Sequence, residues 1–330
     1  MLKNMTIERR VLGRTGEDVT ILGYGSMELR GLPRGRAIPN AEAERVLNTV
    51  LDSGVNLIDT SIDYGRAEGL IGKFIAHRRD EYFLASKCGC PVGGPEGGTL
   101  GPIPHHYDEA NIRVGVEQSL LRLHTDHLDL LQVHISPSRL QMETDRTVET
   151  MSALRDEGKI RFIGMSATLP NVREHIDMGV FDVFQLPYSA LQAEHGDLIT
   201  AAAAAGAGTL IRGGAARGNQ ADDKDTRHGP IGQPEGEAQR RWDASGVEEL
   251  LDGMPRHEFI LRYTLSHPAM SSTIVGTARV DHFSANLAIA ERGPLPPELY
   301  AAAKERLDRV TPQPDGDAAG AYMSSSRLHP

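Results

Sequence analysis

Apolar and polar positions along this chain follow two alternating periods. In AERVLNTVLDSG, Ala43, Val46, Leu47, Val50 and Leu51 recur three and four residues apart, which lines one helical face, and Gly54 ends the pattern. The apolar run NLID that follows is short and continuous and reads as a buried strand. The cycle returns as GLIGKFIAHRR and YFLASK, EANIRVGVEQSLLRLH and LDLLQVH, TVETMSALRDEG and IRFIGMS, PNVREHIDMG and VFQLPYS, DLITAAAAAG and TLIRGG, then RHEFILRYTLSHP and SSTIVGT. VDHFSANLAIAERG and PPELYAAAKERLDRV add two closing helices. Counting ILGYGS as the first, eight strands are predicted.

Strands that alternate with helices pair in parallel, and eight of them close a (β/α)8 TIM barrel; an open doubly wound sheet is the alternative. The opening RRVLGRTGEDVTILGYGSM, with a glycine-rich turn between apolar patches, predicts an N-terminal β-hairpin ahead of the first strand. No break in composition marks a linker, so residues 1–330 are expected to form one barrel domain with an extra C-terminal helix. The tail from about 312 to 330, ending GAYMSSSRLHP, is expected either to close the pocket or to be flexible. The long polar segments 88–107 and 213–245 both follow strands, and a barrel places such loops on its catalytic face.

Composition changes this picture mainly by exclusion. With 39% hydrophobic and 24% charged residues the chain is expected to fold around a sizeable core. A net charge of −10 without a basic arm argues against nucleic-acid binding. The start, MLKNMTIERR, does not resemble a signal peptide, and LITAAAAAGAGTLI at 198–211 is shorter than the ~20 residues that span a bilayer, so a cytoplasmic protein without membrane attachment is expected. Cys88 and Cys90 stand too close in sequence to bridge each other and are expected to be reduced.

A barrel puts catalytic groups at the C-terminal ends of its strands. Asp59, Lys87 and His134 each follow an apolar run there, with Tyr64 on the loop after Asp59. An ammonium beside a phenol favours phenolate and makes the phenol a readier proton donor, and a carboxylate keeps a buried lysine charged. Tyr64, Lys87, Asp59 and His134 therefore suit protonation of an oxygen while hydride arrives at carbon, with His134 orienting a carbonyl or sharing the proton relay.

These residues carry a resemblance. LIDTSIDYG is similar to the Asp-Thr-Ala-x-x-Tyr-Gly motif of the aldo-keto reductase superfamily, ASK to its lysine strand, LDLLQVH to its histidine strand, and the opening hairpin to its N-terminus; the likeness runs from about Arg9 to about Val310. It implies a tetrad with Tyr64 as general acid, Lys87 and Asp59 tuning it, and His134 orienting the carbonyl. It also implies a nicotinamide cofactor, NADPH in preference to NADH, bound across the barrel mouth, and a small-molecule carbonyl or alcohol as substrate. GYGSME lacks the third glycine of a Rossmann fingerprint, which agrees. Residue by residue, the resemblance implies cofactor contacts from Gly25, Ser26 and Met27, from Ser166 and Gln185 at the carboxamide, and from Ile211 and Arg212 at the end of the seventh strand. Arg212 or Arg217 suits the pyrophosphate. IVGTARVDHFSANL resembles the adenosine-phosphate clamp, with Gly276, Thr277, Arg279 and Asn286 in contact and Arg279 the cation for a 2′-phosphate.

CGC at 88–90, with His105 and His106, fits no common zinc spacing; pocket-lining is expected, and no metal site. Trp242 is either a cap over the pocket or the anchor of a short helix that follows it. A cofactor-binding regulatory module with little turnover and a lyase or isomerase acting on a sugar-like substrate are the alternative functions. The oligomeric state is not legible.

Overall fold

The computed structural model describes residues 7–92, 104–215 and 236–311. Arg217 and the tail beyond 311 lie outside them. Strands β1 (Arg9–Val11) and β2 (Asp18–Thr20) form an antiparallel hairpin, with Arg9 opposite Thr20. The remaining strands are β3 (Leu22–Gly25), β4 (Leu57–Asp59), β5 (Phe83–Cys88), β6 (Leu128–Val133), β7 (Ile160–Ser166), β8 (Val183–Pro187), β9 (Gly208–Arg212) and β10 (Ser272–Val275). They close in the order β10-β3-β4-β5-β6-β7-β8-β9, and β10 pairs in parallel with both β3 and β9. The fold is therefore a (β/α)8 barrel and the open sheet is excluded.

The helices are α1 (Asn40–Asp52), α2 (Ala67–Ile75), α3 (Glu109–Leu123), α4 (Arg139–Thr144), α5 (Thr147–Asp156), α6 (Val172–Asp177), α7 (Gly196–Ala204), α8 (Glu237–Ser245), α9 (Arg256–Leu265), α10 (Val280–Glu291) and α11 (Pro297–Asp308). The five residues of α1 read from sequence as its apolar face are all buried. Asp108 starts α3 by accepting a hydrogen bond from the Asn111 amide, an ordinary N-cap. Two helices go beyond the sequence reading. At six residues α4 is too short to show a period, and its visible signal was Ser138, which caps the Gln141 amide. Trp242 lies inside α8 rather than ahead of it. It is buried against Phe259, donates from Nε1 to Glu248 Oε2 at 2.6 Å, and carries the Arg256 guanidinium 4.0 Å above its ring. It anchors α8 to α9, so the pocket-cap reading is corrected.

Strand alternation sorts the core into two layers. Leu57, Phe83, Ala85, Leu130, Val183 and Leu210 pack inside the barrel, whereas Ile58, Leu84, Leu131, Phe184 and Ile211 pack outward under the helices. The hairpin closes one end. Leu12 and Val19 join the interior layer, and a Cβ on Gly208 would stand 2.6 Å from the Leu12 side chain, so only glycine lets the plug seat. Burying such a side chain contributes about 1.5–3 kcal/mol. With that floor sealed, the open end is the one where the strands finish. No helix among the described residues is long and apolar enough to cross a membrane.

Candidate active site

Above the apolar plug, the next inward positions of the strands are polar, and they bond to one another. Lys87 Nζ lies 2.6 Å from Asp59 Oδ2 and donates to the Thr60 carbonyl at 2.7 Å. Both members of this ion pair are almost fully buried. A buried pair survives desolvation only when its remaining valences are filled. Here Asp59 Oδ1 accepts from Gln132 Nε2 at 2.9 Å and from Gln185 Nε2 at 2.8 Å, and Ser166 Oγ donates to Gln185 Oε1 at 3.2 Å. Four strands, β4, β5, β6 and β8, thus hold one carboxylate. Gln132 was missed by sequence reasoning, although its signal was present: it is the polar residue two before His134, hence on the same strand face.

Tyr64 sits on the loop after β4, in a turn closed by its amide donating to the Ser61 carbonyl at 3.0 Å. The Lys87 ammonium lies 4.9 Å from the centre of its ring, and the His134 ring stands edge-on to it at 6.4 Å between centroids. The structure therefore brings together Asp59, Tyr64, Lys87 and His134, residues spread over more than seventy positions of chain.

The electrostatics refine the expectation. Burial raises the Tyr64 phenol, Lys87 pulls it down, and Asp59 and Asp63 push it up again; the net direction is upward. The ammonium acts in the expected direction, but against a larger opposing effect of burial. Burial opposes charge on Lys87, but Asp59, Tyr64 and Asp63 together outweigh that penalty and the pKa is raised, so the amine stays protonated. Burial pushes His134 down to about 3 against the pull of Asp63, so its imidazole is neutral near pH 7. Burial also opposes ionisation of Asp63, yet His134, Ser61, Arg34 and Lys87 hold its carboxyl below the usual range. The Ser61 hydroxyl donates to Asp63 Oδ1 at 2.5 Å.

The CGC segment does two things. Cys88 packs outward in the core. Cys90 faces the site: its Sγ lies 3.1 Å from His134 Nδ1 and 3.6 Å from His105 Nε2. Between them Gly89 has φ +93°, and a Cβ there would stand 2.4 Å from the Tyr107 ring. The missing side chain lets Tyr107 cross over it and donate its hydroxyl to the His134 carbonyl at 2.6 Å. His105 stacks on Tyr107 with ring centres 6.2 Å apart. Neither Tyr107 nor Cys90 could have been placed at His134 from spacing alone.

The expected cofactor positions divide. Gly25 and Gly276 meet where β3 and β10 end; a Cβ on Gly276 would be 3.1 Å from the Gly25 carbonyl oxygen. Ser26 Oγ is buried with no hydrogen-bond partner among the described residues, and Met27 is half-buried beside it. Thr277 Oγ1 accepts from the Arg279 amide at 3.1 Å. Arg279 is exposed and forked onto Asp281, with Nη2 to Oδ2 at 2.6 Å. Asn286 Oδ1 lies 2.8 Å from His257 Nε2, a link between α9 and α10 that the sequence did not suggest. Ile211 requires correction: it lies between inward Leu210 and Arg212, so alternation sends its side chain into the layer under the helices, fully buried and away from the mouth. Arg212 is the inward residue of that pair, near enough to Tyr64 and His134 to add positive potential to both.

A family model described as the aldo/keto reductase family matches residues 21–308. The chain is 28% identical over 295 residues to an uncharacterized oxidoreductase, YqkF, of Bacillus subtilis, covering 86% of this chain and 91% of that one. It is 26% identical over 298 residues to L-galactose dehydrogenase of Arabidopsis thaliana, covering 86% and 88%. The holo form of an aldo-keto reductase from Bacillus halodurans matches with a TM-score of 0.76 at 28% identity, covering 91% of this chain and 96% of that one.

Proposed function

The chain belongs to the aldo/keto reductase family and is an oxidoreductase, and from that premise we propose that it interconverts a small aldehyde or ketone and its alcohol with Tyr64 as the proton donor and acceptor. The observation that carries this reading is the Lys87 ammonium held 2.6 Å from Asp59 and 4.9 Å from the Tyr64 ring centre. Members of the family use nicotinamide cofactors. The residues at the mouth suit one: the buried hydroxyl of Ser26 with no hydrogen-bond partner among the described residues, the hydrogen-bonded Ser166–Gln185 pair facing inward, and the bare backbone of Gly25 and Gly276 where β3 and β10 end. When bound, such a cofactor supplies or accepts the hydride.

The chain's own groups do the rest. Because its pKa is raised, Tyr64 holds its proton at neutral pH and can deliver it to a developing alkoxide. Lys87, fixed as an ammonium by Asp59, Gln132 and Gln185, stabilises the phenolate left behind. His134, neutral, offers a hydrogen bond to the carbonyl oxygen without adding a competing acid. In the alcohol-oxidising direction the same groups run in reverse.

For the cofactor we favour NADPH. Arg279 supports it, since a guanidinium pairs well with a 2′-phosphate and its present partner, Asp281, is an exposed one that costs little to leave. The experiment that tests the catalytic reading is Tyr64→Phe. Titration with NADPH and NADH followed by fluorescence should show binding retained, and an assay over aliphatic, aromatic and sugar-derived carbonyls should show turnover reduced by about 10²–10⁴-fold. A variant as active as the parent removes Tyr64 from the role. Cofactor binding by the parent protein with no turnover on any carbonyl would favour a binding module instead.

A further inference from the structure

We propose that Cys90, His105 and His134 form a binding site for one thiophilic divalent cation, with Zn²⁺ as the representative ion, and that its occupation stops turnover. The second half rests on the role given to His134 above; the first does not.

The ligand atoms of these three residues all lie within 4.8 Å of one another. Cys90 Sγ is 3.1 Å from His134 Nδ1 and 3.6 Å from His105 Nε2. A tetrahedral zinc with Zn–S of about 2.3 Å and Zn–N of about 2.0 Å has sulfur–nitrogen edges of about 3.5 Å. The two edges already present bracket that value, so small side-chain rotations suffice. Cysteine and histidine together are the donor set of zinc sites, and three protein ligands leave a fourth position for water or a substrate oxygen.

The ligands are also held in place. The Cys90 carbonyl accepts from Asn111 Nδ2 at 3.1 Å, the His134 carbonyl accepts from Tyr107, and the Tyr107 ring stacks on His105. One tyrosine thus supports two of the three. Asp63 Oδ1 lies 3.9 Å from His134 Nδ1 and supplies negative charge at the edge of the cluster. A thiol beside one imidazole is common packing, but packing gives no reason for a second imidazole to converge on the same sulfur.

Two features set the character of the site. Lys87 and Arg212 place fixed positive charge close to His134, which opposes a dication and limits affinity. Binding also releases a proton as the Cys90 thiol becomes a zinc thiolate. Both favour a reversible, pH-dependent ligand over a resident structural metal. Once bound, the ion ties the imidazole that orients the carbonyl to Cys90 and His105 and sets a dication on the ring that stands edge-on to Tyr64 at 6.4 Å, which opposes the hydrogen-bond geometry and charge balance of turnover.

The test uses the whole protein freed of metal by chelator and desalting. Titration with Co²⁺ should give the thiolate charge-transfer and ligand-field absorption of a four-coordinate site, saturating at one ion per chain, and Zn²⁺ should displace it. Cys90→Ser should abolish the charge-transfer band, and His105→Ala should weaken Zn²⁺ by at least about tenfold, with melting curves confirming that both variants fold. Zn²⁺ should inhibit the parent enzyme with a midpoint equal to its dissociation constant and should inhibit His105→Ala only at correspondingly higher concentration. Absence of a cobalt thiolate spectrum in the parent, or unchanged binding in both variants, overturns the site. Binding through these residues with turnover unaffected overturns the inhibition alone. A protein that binds Zn²⁺ here yet reduces no carbonyl contradicts the reductase reading and leaves the site standing.

Discussion

The Tyr107 hydroxyl donates to the His134 carbonyl oxygen at 2.6 Å, across the bare backbone of Gly89. A loop residue of the fifth-strand connection thereby fixes the backbone of a residue at the end of β6, which is how a loop outside the barrel can determine where a candidate catalytic imidazole stands.

Removing that hydroxyl should show its positioning role. Tyr107→Phe leaves a part-buried carbonyl without its donor, at a cost of about 1–3 kcal/mol. The expected outcome is a lower urea midpoint and a kcat that falls more than KM rises, because the substrate still binds beside a displaced His134. Gly89→Ala should destabilise more, since it must shift the Tyr107 ring and hold an alanine at φ +93°. A Tyr107→Phe protein matching the parent in both measurements would show that the bond holds nothing.

The buried ion pair makes a second claim. Lys87→Met leaves the Asp59 carboxylate buried with two glutamine donors and no cation, and breaking such a pair typically costs about 3–5 kcal/mol. Lys87→Met with Asp59→Asn should recover part of that loss, because a neutral amide oxygen still accepts from Gln132 and Gln185. Urea unfolding of parent, single and double variants measures the coupling. Losses that simply add would mean the two residues do not act as a pair, and neither variant should regain turnover.

Much of this was legible beforehand, for a physical reason. Strand period and helix period differ, so Asp59, Lys87 and His134 announce themselves as polar residues ending apolar runs, and the eight-strand rhythm fixes that those ends share one rim. Ile211 shows the limit. Adjacent to Arg212 in sequence, it faces the opposite side of the sheet, and only strict alternation tells which of the two looks inward. Gln132 obeys the same rule, two residues before His134 and on the same face of its strand. Tyr107, Cys90 and the Asn286–His257 link were not available, because loop paths and helix packing set those distances and no local pattern encodes them. The Tyr64 shift also could not be read from residue types, since its sign depends on how burial compares with the Lys87 charge.

Cofactor preference can be tested at Arg279 and Asp281. If Arg279 reads a 2′-phosphate, Arg279→Ala should weaken NADPH by about tenfold and leave NADH nearly unchanged. Asp281→Asn should do the reverse and tighten NADPH by a few-fold, because it removes both a competing partner and a repelling charge. Fluorescence titration of the parent and both variants with the two dinucleotides gives the six constants. Parallel shifts for both would mean that Arg279 does not discriminate between them.

The last prediction concerns acid. Burial pushes His195 down to about 3 and His267 down to about 4, and it lowers His175 as well. All three are buried, and in the unfolded chain each returns to about 6.5. Below that pH the unfolded state binds more protons than the folded one, so stability is full above about 6.5 and falls as pH drops toward the folded values. The slope is up to about 1.4 kcal/mol per pH unit for each histidine. Glu68 works in the opposite sense, because burial raises its pKa and folding then favours its protonated form, but it is one group against these three histidines and His134, which burial lowers likewise. The urea midpoint should therefore be clearly lower at pH 5.0 than at pH 7.5. His195→Gln, whose amide oxygen can still accept the Leu169 N–H that His195 Nε2 now receives at 3.3 Å, should flatten that dependence. An equal midpoint at both pH values, or an unaltered slope in His195→Gln, would show that these imidazoles titrate alike in the folded and unfolded chain.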